Sequence, residues 1–230
     1  SIIFTAVGAT WVLISVVGAL PYLLAGTFVR DGADTLVVIA DALFESVSGF
    51  SCTGSTVFGA HNPIEAQGSG ILLYRQITQW LGGMGIVVLV VAVLPTLRAS
   101  GLGLIDAEAP GEGADRLAPK VVDTARQFWG VYGILTIAAA ILLLGAGMNP
   151  YDSIAHALSA ISTGGFSTRD SSIGHWDSVA VELVVMAVMI FGAASFTLHY
   201  RSFRKRHFVH LENPEFRWYL GLLGGWTVAV

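Results

Sequence analysis

Asp41-Ala-Leu-Phe-Glu-Ser-Val-Ser-Gly-Phe-Ser-Cys-Thr-Gly-Ser-Thr56 is the stretch on which the fold turns. Its first ten residues are moderately apolar and run directly into a Thr-Gly loop. A helix crossing a bilayer needs about 20 apolar residues, so Asp41 to Phe50 falls well short. A segment of this length is either a re-entrant half-helix or an amphipathic helix lying at the interface, and length alone leaves both open. The pattern returns at Asp152-Ser-Ile-Ala-His-Ala-Leu-Ser-Ala-Ile161, which again runs into Ser162-Thr-Gly-Gly165.

The residues around these two segments are those of a membrane protein. Of 230 residues, 54% are hydrophobic and 12% are charged, against about 25% charged in soluble domains. Long uncharged runs cover residues 1–29, 76–97 and 127–151, and residues 179–198 carry only Glu182. These predict four complete spans, with a fifth starting near Phe216. The chain opens and stops inside apolar runs, so a fragment of a longer polypeptide is expected. Nine of the twelve Lys and Arg residues fall in two segments, Arg98 to Arg126 and Arg201 to Arg217. Cytoplasmic loops concentrate such residues, which puts both short segments on the outer side. The single cysteine, Cys52, excludes an intrachain disulfide and a multi-cysteine metal site.

The two halves are an internal repeat. A shift of 110 residues lays Thr53-Gly54 on Thr163-Gly164, Ser51 on Ile161, Cys52 on Ser162 and Ser46 on His156. Each half reads span, half-helix, Thr-Gly loop, span. The fold expected is an all-α polytopic membrane protein of tandem helix–re-entrant pore loop–helix repeats with a potassium-channel-like pore. Residues 1–100 form the first repeat, 101–126 a cytoplasmic loop, 127–206 the second repeat, and 207–230 a linker and the start of a third. Irregular backbone at membrane depth is tolerated where it lines a water-filled cavity. Its carbonyls can there replace the hydration shell of a cation, and glycine permits the conformations that point them one way. The half-helix brings its negative C-terminal end to the same place, which favours cations. Gly82, Gly83, Gly85, Gly145 and Gly192 are read instead as sites of close helix packing.

The segments Asp41 to Thr56, Trp80-Leu-Gly-Gly-Met-Gly-Ile86, Glu108-Ala-Pro-Gly111 and Ser162-Thr-Gly-Gly-Phe-Ser-Thr168, with Asp170 and Ser172-Ile173-Gly174, resemble the Trk/Ktr/HKT superfamily of potassium transporters, and most closely its TrkH branch. The resemblance covers essentially the whole chain. It implies four repeats around one pore, with the gate in the third, and potassium ion as the substrate with no covalently bound cofactor. It implies a homodimer in a bacterial inner membrane, and a cytosolic nucleotide-binding regulatory subunit of TrkA type. By the same resemblance the filter comprises Ser51, Cys52, Thr53 and Gly54, with Ile161, Ser162, Thr163, Gly164 and Gly165. Potassium would meet carbonyls at Cys52, Thr53, Ser162 and Thr163, and Gly54 and Gly164 would be the selectivity glycines. Ser51-Cys52 stands where the family more often has threonine, a change that leaves backbone coordination in place.

Glu45, an acid inside a half-helix, is expected to brace the filter, and His156 to sit hydrogen-bonded behind it. Asp41 and Asp152 are expected as helix caps. An enzyme is not expected: the Gly-x-Ser-x-Gly elbow and the Gly-x-x-x-x-Gly-Lys-Ser/Thr loop are both missing. Nothing points to nucleic acid; the lipid bilayer is the expected surrounding. The competing reading is a non-conducting membrane fragment or scaffold that needs further repeats to function.

Overall fold

The computed structural model describes residues 2–30, 32, 34–102 and 113–229; Glu108-Ala-Pro-Gly111 lies outside them. The described residues form α1 (Ile2–Leu24), α2 (Thr35–Phe50), α3 (Ser69–Leu102), α4 (Gly113–Gly145), α5 (Pro150–Ile161), α6 (Val179–Ala193), α7 (Phe196–Lys205) and α8 (Pro214–Ala229), with three short 3₁₀ turns. They divide into two compact units: Ser1–Leu89 with Leu135–Gly192, and Val90–Ile134 with Ala193–Val230. Among the described residues, Val7–Leu24 of α1 and Asp123–Gly145 of α4 are long and apolar enough to cross a membrane.

The first unit contains both short helices. α2 has 16 residues and α5 has 12, roughly 24 and 18 Å at 1.5 Å per residue, well under a 30 Å hydrocarbon core. Both begin earlier than the sequence suggests, because neither is capped by the acid expected. Asp34 caps α2 by accepting from the Leu36 amide at 3.3 Å. Asp41 therefore lies inside the helix, where it pairs with Arg30 at 3.2 Å. Asn149 caps α5 by accepting from the Asp152 amide at 2.9 Å, while its own amide donates to the Asp152 carboxylate at 2.7 Å. Loss of such a cap costs about 1 kcal/mol. Asn149→Ala is accordingly expected to lower the thermal stability of the detergent-solubilised protein by about that amount, and Asn149→Asp, whose carboxylate would face that of Asp152, is not expected to rescue it.

α1 lies across α2 where Gly18 leaves room for Phe50 and Ser46: a Cβ on Gly18 would come within 2.5 Å of both side chains. Ser46 donates to the Ser15 carbonyl at 2.7 Å, and Tyr74 to the Gly18 carbonyl at 2.9 Å. Tyr22, Phe28, Phe58, Ile64 and Leu72 close a core beside this crossing. Trp80 of α3 donates to Thr136 of α4 at 2.9 Å. Gly82 and Gly192 follow the two loops and do what close-packing glycines do. A Cβ at Gly82 would collide with the Phe50 carbonyl, and one at Gly192 would lie 2.6 Å from the Ile161 carbonyl.

In the second unit, Phe196 meets Tyr132 edge on and Phe128 at a tilt, and Leu198, Val209 and Phe216 form a small core. Buried His210 shares a 3.0 Å hydrogen bond with His199, and burial holds His210 below the ordinary histidine range. The apolar run 179–198 is not one helix. α6 ends at Ala193 and α7 starts at Phe196, because Ser195 leaves the helical conformation (ψ 123°) and Phe196 and Leu198 are drawn into packing within the second unit. Helix also extends through residues 113–126, part of the stretch expected to be a loop.

Candidate functional site

The two loops begin with the same backbone device. At the end of α2, the Thr53 amide donates to the Ser48 carbonyl and the Cys52 amide to that of Gly49, both at 3.0 Å. At the end of α5, Gly164 donates to Ser159 at 2.9 Å and Thr163 to Ala160 at 3.1 Å. Both are Schellman closures, whose pivot residue takes the left-handed conformation. The pivots are Cys52 and Thr163, each at φ 54°. α1 and α4 end in the same hydrogen-bond pattern around Gly26 and Gly147, so glycine serves where a helix merely ends. At the two loops a side chain is held in left-handed backbone, at a cost of about 1–2 kcal/mol each.

This geometry corrects the register of the half-helices and loops from 110 to 111, while the flanking helices keep 110, with Gly82 matching Gly192. Ser51 matches Ser162, Cys52 matches Thr163, Thr53 matches Gly164, and Gly54 (φ 75°) matches Gly165 (φ 88°). Glu45 now stands opposite His156, and Thr56 opposite Ser167. The hydrogen bonds agree. Thr56 donates to Glu45 and accepts from the Phe58 amide at 3.1 Å; Ser167 bonds His156 at 2.9 Å and accepts from the Arg169 amide at 3.0 Å.

The structure brings the loops side by side. A Cβ added to Gly54 would run into the Gly164 carbonyl oxygen. Cys52 and Gly54 are half-buried, Gly164 is buried, and Ser51, Thr53, Thr163 and Gly165 are exposed. Ile161 is not part of the open loop: it is the last residue of α5, buried, with its carbonyl against Gly192. Ser162 turns its hydroxyl back to the Leu158 and Ser159 carbonyls, and its own carbonyl accepts from the Thr163 hydroxyl at 2.7 Å. His156 is held at both ring nitrogens, by the Asp152 carbonyl at 2.8 Å and by Ser167. At the other end of α5, Asp152 accepts from Thr168 and pairs with Arg169 at 3.1 Å, while Asp170 accepts from the Ile64 amide at 2.9 Å.

Two residues of α3 complete the site, and the sequence reading did not single them out. Arg75 is fully buried and pairs with Glu45 at 2.7 Å. Gln79 is also fully buried, and its side-chain oxygen accepts from the Ser159 hydroxyl at 2.8 Å and the Phe166 amide at 3.1 Å. Its amide group packs on Gly164, and its backbone carbonyl receives the Cys52 thiol at 3.2 Å. The available signal was the polar cluster Arg75-Gln76-Ile-Thr78-Gln79 opening an apolar span, since polar groups at that depth are costly and tend to be functional. Gln79→Leu strips an acceptor from two buried donors, each worth about 1–3 kcal/mol. It is expected to destabilise the protein by about 2 kcal/mol, read as a lower melting temperature.

Beside the second loop lies a cavity of about 230 Å³, lined in part by His156, Gly165, Val185 and Met189. In the first repeat the Phe166 ring lies against Gly49 and beside the Arg75 guanidinium, and the Phe166 amide donates to the Gln79 oxygen.

Two half-helices closed in the same way, each followed by a glycine-bearing loop and a flanking helix, define a polytopic membrane protein of tandem helix–re-entrant loop–helix units. The chain belongs to the TrkH family of cation transport proteins, whose family model matches residues 1–228. It is 42% identical over 217 residues to the Trk system potassium uptake protein TrkH of Halomonas elongata, covering 94% of this chain and 43% of that protein. It is 40% identical over 191 residues to TrkG of Escherichia coli, covering 83% of this chain and 37% of that protein. The crystal structure of the potassium transporter TrkH from Vibrio parahaemolyticus superposes with a TM-score of 0.76 at 37% identity, over 94% of this chain and 42% of that one. The chain thus spans less than half the length of these relatives.

Proposed function

We propose that this chain forms two adjoining sides of a potassium-selective pathway and acts as part of the membrane subunit of a Trk-type uptake system. The observation that carries the reading is the pair of Schellman-closed half-helices, 111 residues apart, that deliver Cys52 to Gly54 and Thr163 to Gly165 next to one another. Each half-helix ends at its loop with the negative end of its dipole, which favours a cation there. Backbone carbonyls of Cys52, Thr53, Ser162 and Thr163 are the ion's partners in this reading, with Gly54, Gly164 and Gly165 giving the loops their shape. Ser51 and Ile161 flank the filter from the helix ends, and Glu45 and His156 brace it from behind. The cavity beside the second loop is where the next side of the ring adjoins. The protein is a transporter without enzymatic activity of its own. Its loops enter the plasma membrane from outside, it pairs as a homodimer, and it is regulated by a TrkA-like cytosolic nucleotide-binding subunit.

The test is rubidium uptake and growth at limiting potassium, in a host lacking its own potassium transport and expressing the complete gene. Restored, saturable rubidium uptake is the expected result. A protein that reaches the membrane in normal amount yet restores neither would overturn the reading and favour a non-conducting scaffold.

A further inference from the structure

We propose that Arg75 is a positioning residue for ion selectivity, its guanidinium fixing the distance between the two loops by holding the matching residue of each. This deepens the potassium-filter reading above and rests on it.

The arginine is gripped on every side. Its Nε and Nη2 donate to Glu45 at 2.8 and 2.7 Å, and Nη2 also reaches the Thr56 hydroxyl at 3.3 Å. Its Nη1 donates to the Ser167 carbonyl at 3.1 Å. The rings of Phe58 and Phe166 lie 4.8 and 4.0 Å from the guanidinium carbon. Glu45, Thr56 and Phe58 belong to the first repeat; Phe166 and Ser167 belong to the second. Thr56 and Ser167 are equivalent in the corrected register, each two residues beyond the left-handed glycine of its loop. One rigid, planar group therefore clasps the same point on both loops.

A pair needed only to neutralise Glu45 would have no reason to reach a carbonyl of the other repeat. Nor does the second repeat supply a clasp of its own. Val185 stands 110 residues after Arg75, as Gly192 does after Gly82, and His156 replaces Glu45. Arg75 is thus the charged link between the loops, beside the neutral link that Gln79 makes from Cys52 to Ser159 and Phe166. Potassium and sodium differ in the carbonyl arrangement they favour, so a change in loop spacing registers as a change in selectivity. Lysine carries the charge and can reach Glu45, but it lacks the planar fork that bonds along several edges and stacks between two rings.

The experiment measures rubidium and sodium flux together with the amount of folded protein, in the complete transporter, for Arg75→Lys and for the double variant Glu45→Leu/Arg75→Met. The double variant removes both charges, so no unpaired ion is left buried and folding is preserved if the single variant fails. The expected result is a roughly tenfold fall in the rubidium-to-sodium flux ratio, equivalent to about 1.4 kcal/mol, in protein that is folded and present in the membrane. An unchanged ratio in either folded variant, alongside a lowered ratio for Gly54→Ser, overturns the role of Arg75 and leaves the filter reading standing. Unchanged ratios in all three variants overturn both.

Discussion

Gly54→Ser is expected to lower potassium-over-sodium discrimination roughly tenfold while rubidium still passes, a change of about 1.4 kcal/mol in relative ion preference. Two observations set this size. Gly54 sits at φ 75°, a left-handed conformation that costs a residue with a side chain about 1–2 kcal/mol. In addition, its added Cβ would meet the Gly164 carbonyl of the other loop, so the loops must part or twist. Either movement turns carbonyls away from the arrangement proposed to select the ion. Gly59→Ser is the control: that glycine has open space around its Cβ position and no left-handed backbone. Competition between rubidium and sodium in uptake assays reads both variants. Equal ratios for wild type and Gly54→Ser would remove the assignment of this loop as a filter.

Glu45→Leu is expected to have the largest effect on stability of any single substitution considered. It leaves Arg75 charged, fully buried and without its carboxylate. It also strips an acceptor from the Thr56 hydroxyl and the Val57 amide. Breaking a buried ion pair from one side costs about 3–5 kcal/mol, roughly 6–20 °C in apparent melting temperature for a chain of this size. Replacing the pair by packed apolar side chains is often close to neutral, so Glu45→Leu/Arg75→Met should regain most of that loss. Thermal unfolding in detergent measures both. A single variant as stable as wild type would mean that Glu45 does not neutralise Arg75. Stability and selectivity part company here, since the double variant restores the first without the second.

The half-helices and the repeat were legible in the sequence because they rest on strong signals: a ten-residue apolar segment too short to span, and a Thr-Gly pair occurring twice. That Glu45 has partners, and that Gly82 and Gly192 pack closely, were legible for similar reasons. An ionisable group in an apolar helix needs a partner, and small residues allow backbones to approach. The register was one residue off because matching Thr-Gly with Thr-Gly follows side-chain identity. The folded chain follows the helix closure instead, which falls on Cys52 in one half and Thr163 in the other. Asp41 looked like a cap because an acid near an apolar run usually is one, but its partner Arg30 lies eleven residues away. Arg75 and Gln79 were missed as site residues because their partners lie far along the chain, several of them in the other repeat. The Ser167 carbonyl is 92 positions from Arg75, and Ser159 is 80 from Gln79. Nor did hydropathy reveal the break after Ala193, which depends on where Phe196 and Leu198 find neighbours.

Gly82 and Gly192, the two places where a flanking helix lies directly on the last carbonyl of a half-helix, have a consequence for how wide a passage such units can enclose. In a ring of these units, the half-helices are the wedges and the flanking helices are the hoop around them. The absent side chains let the hoop sit tight, so in the proposed pore the bore is calibrated from the outside as well as by the loops that line it. A methyl group at either glycine would act as a shim, changing the diameter of the passage without touching a single lining atom.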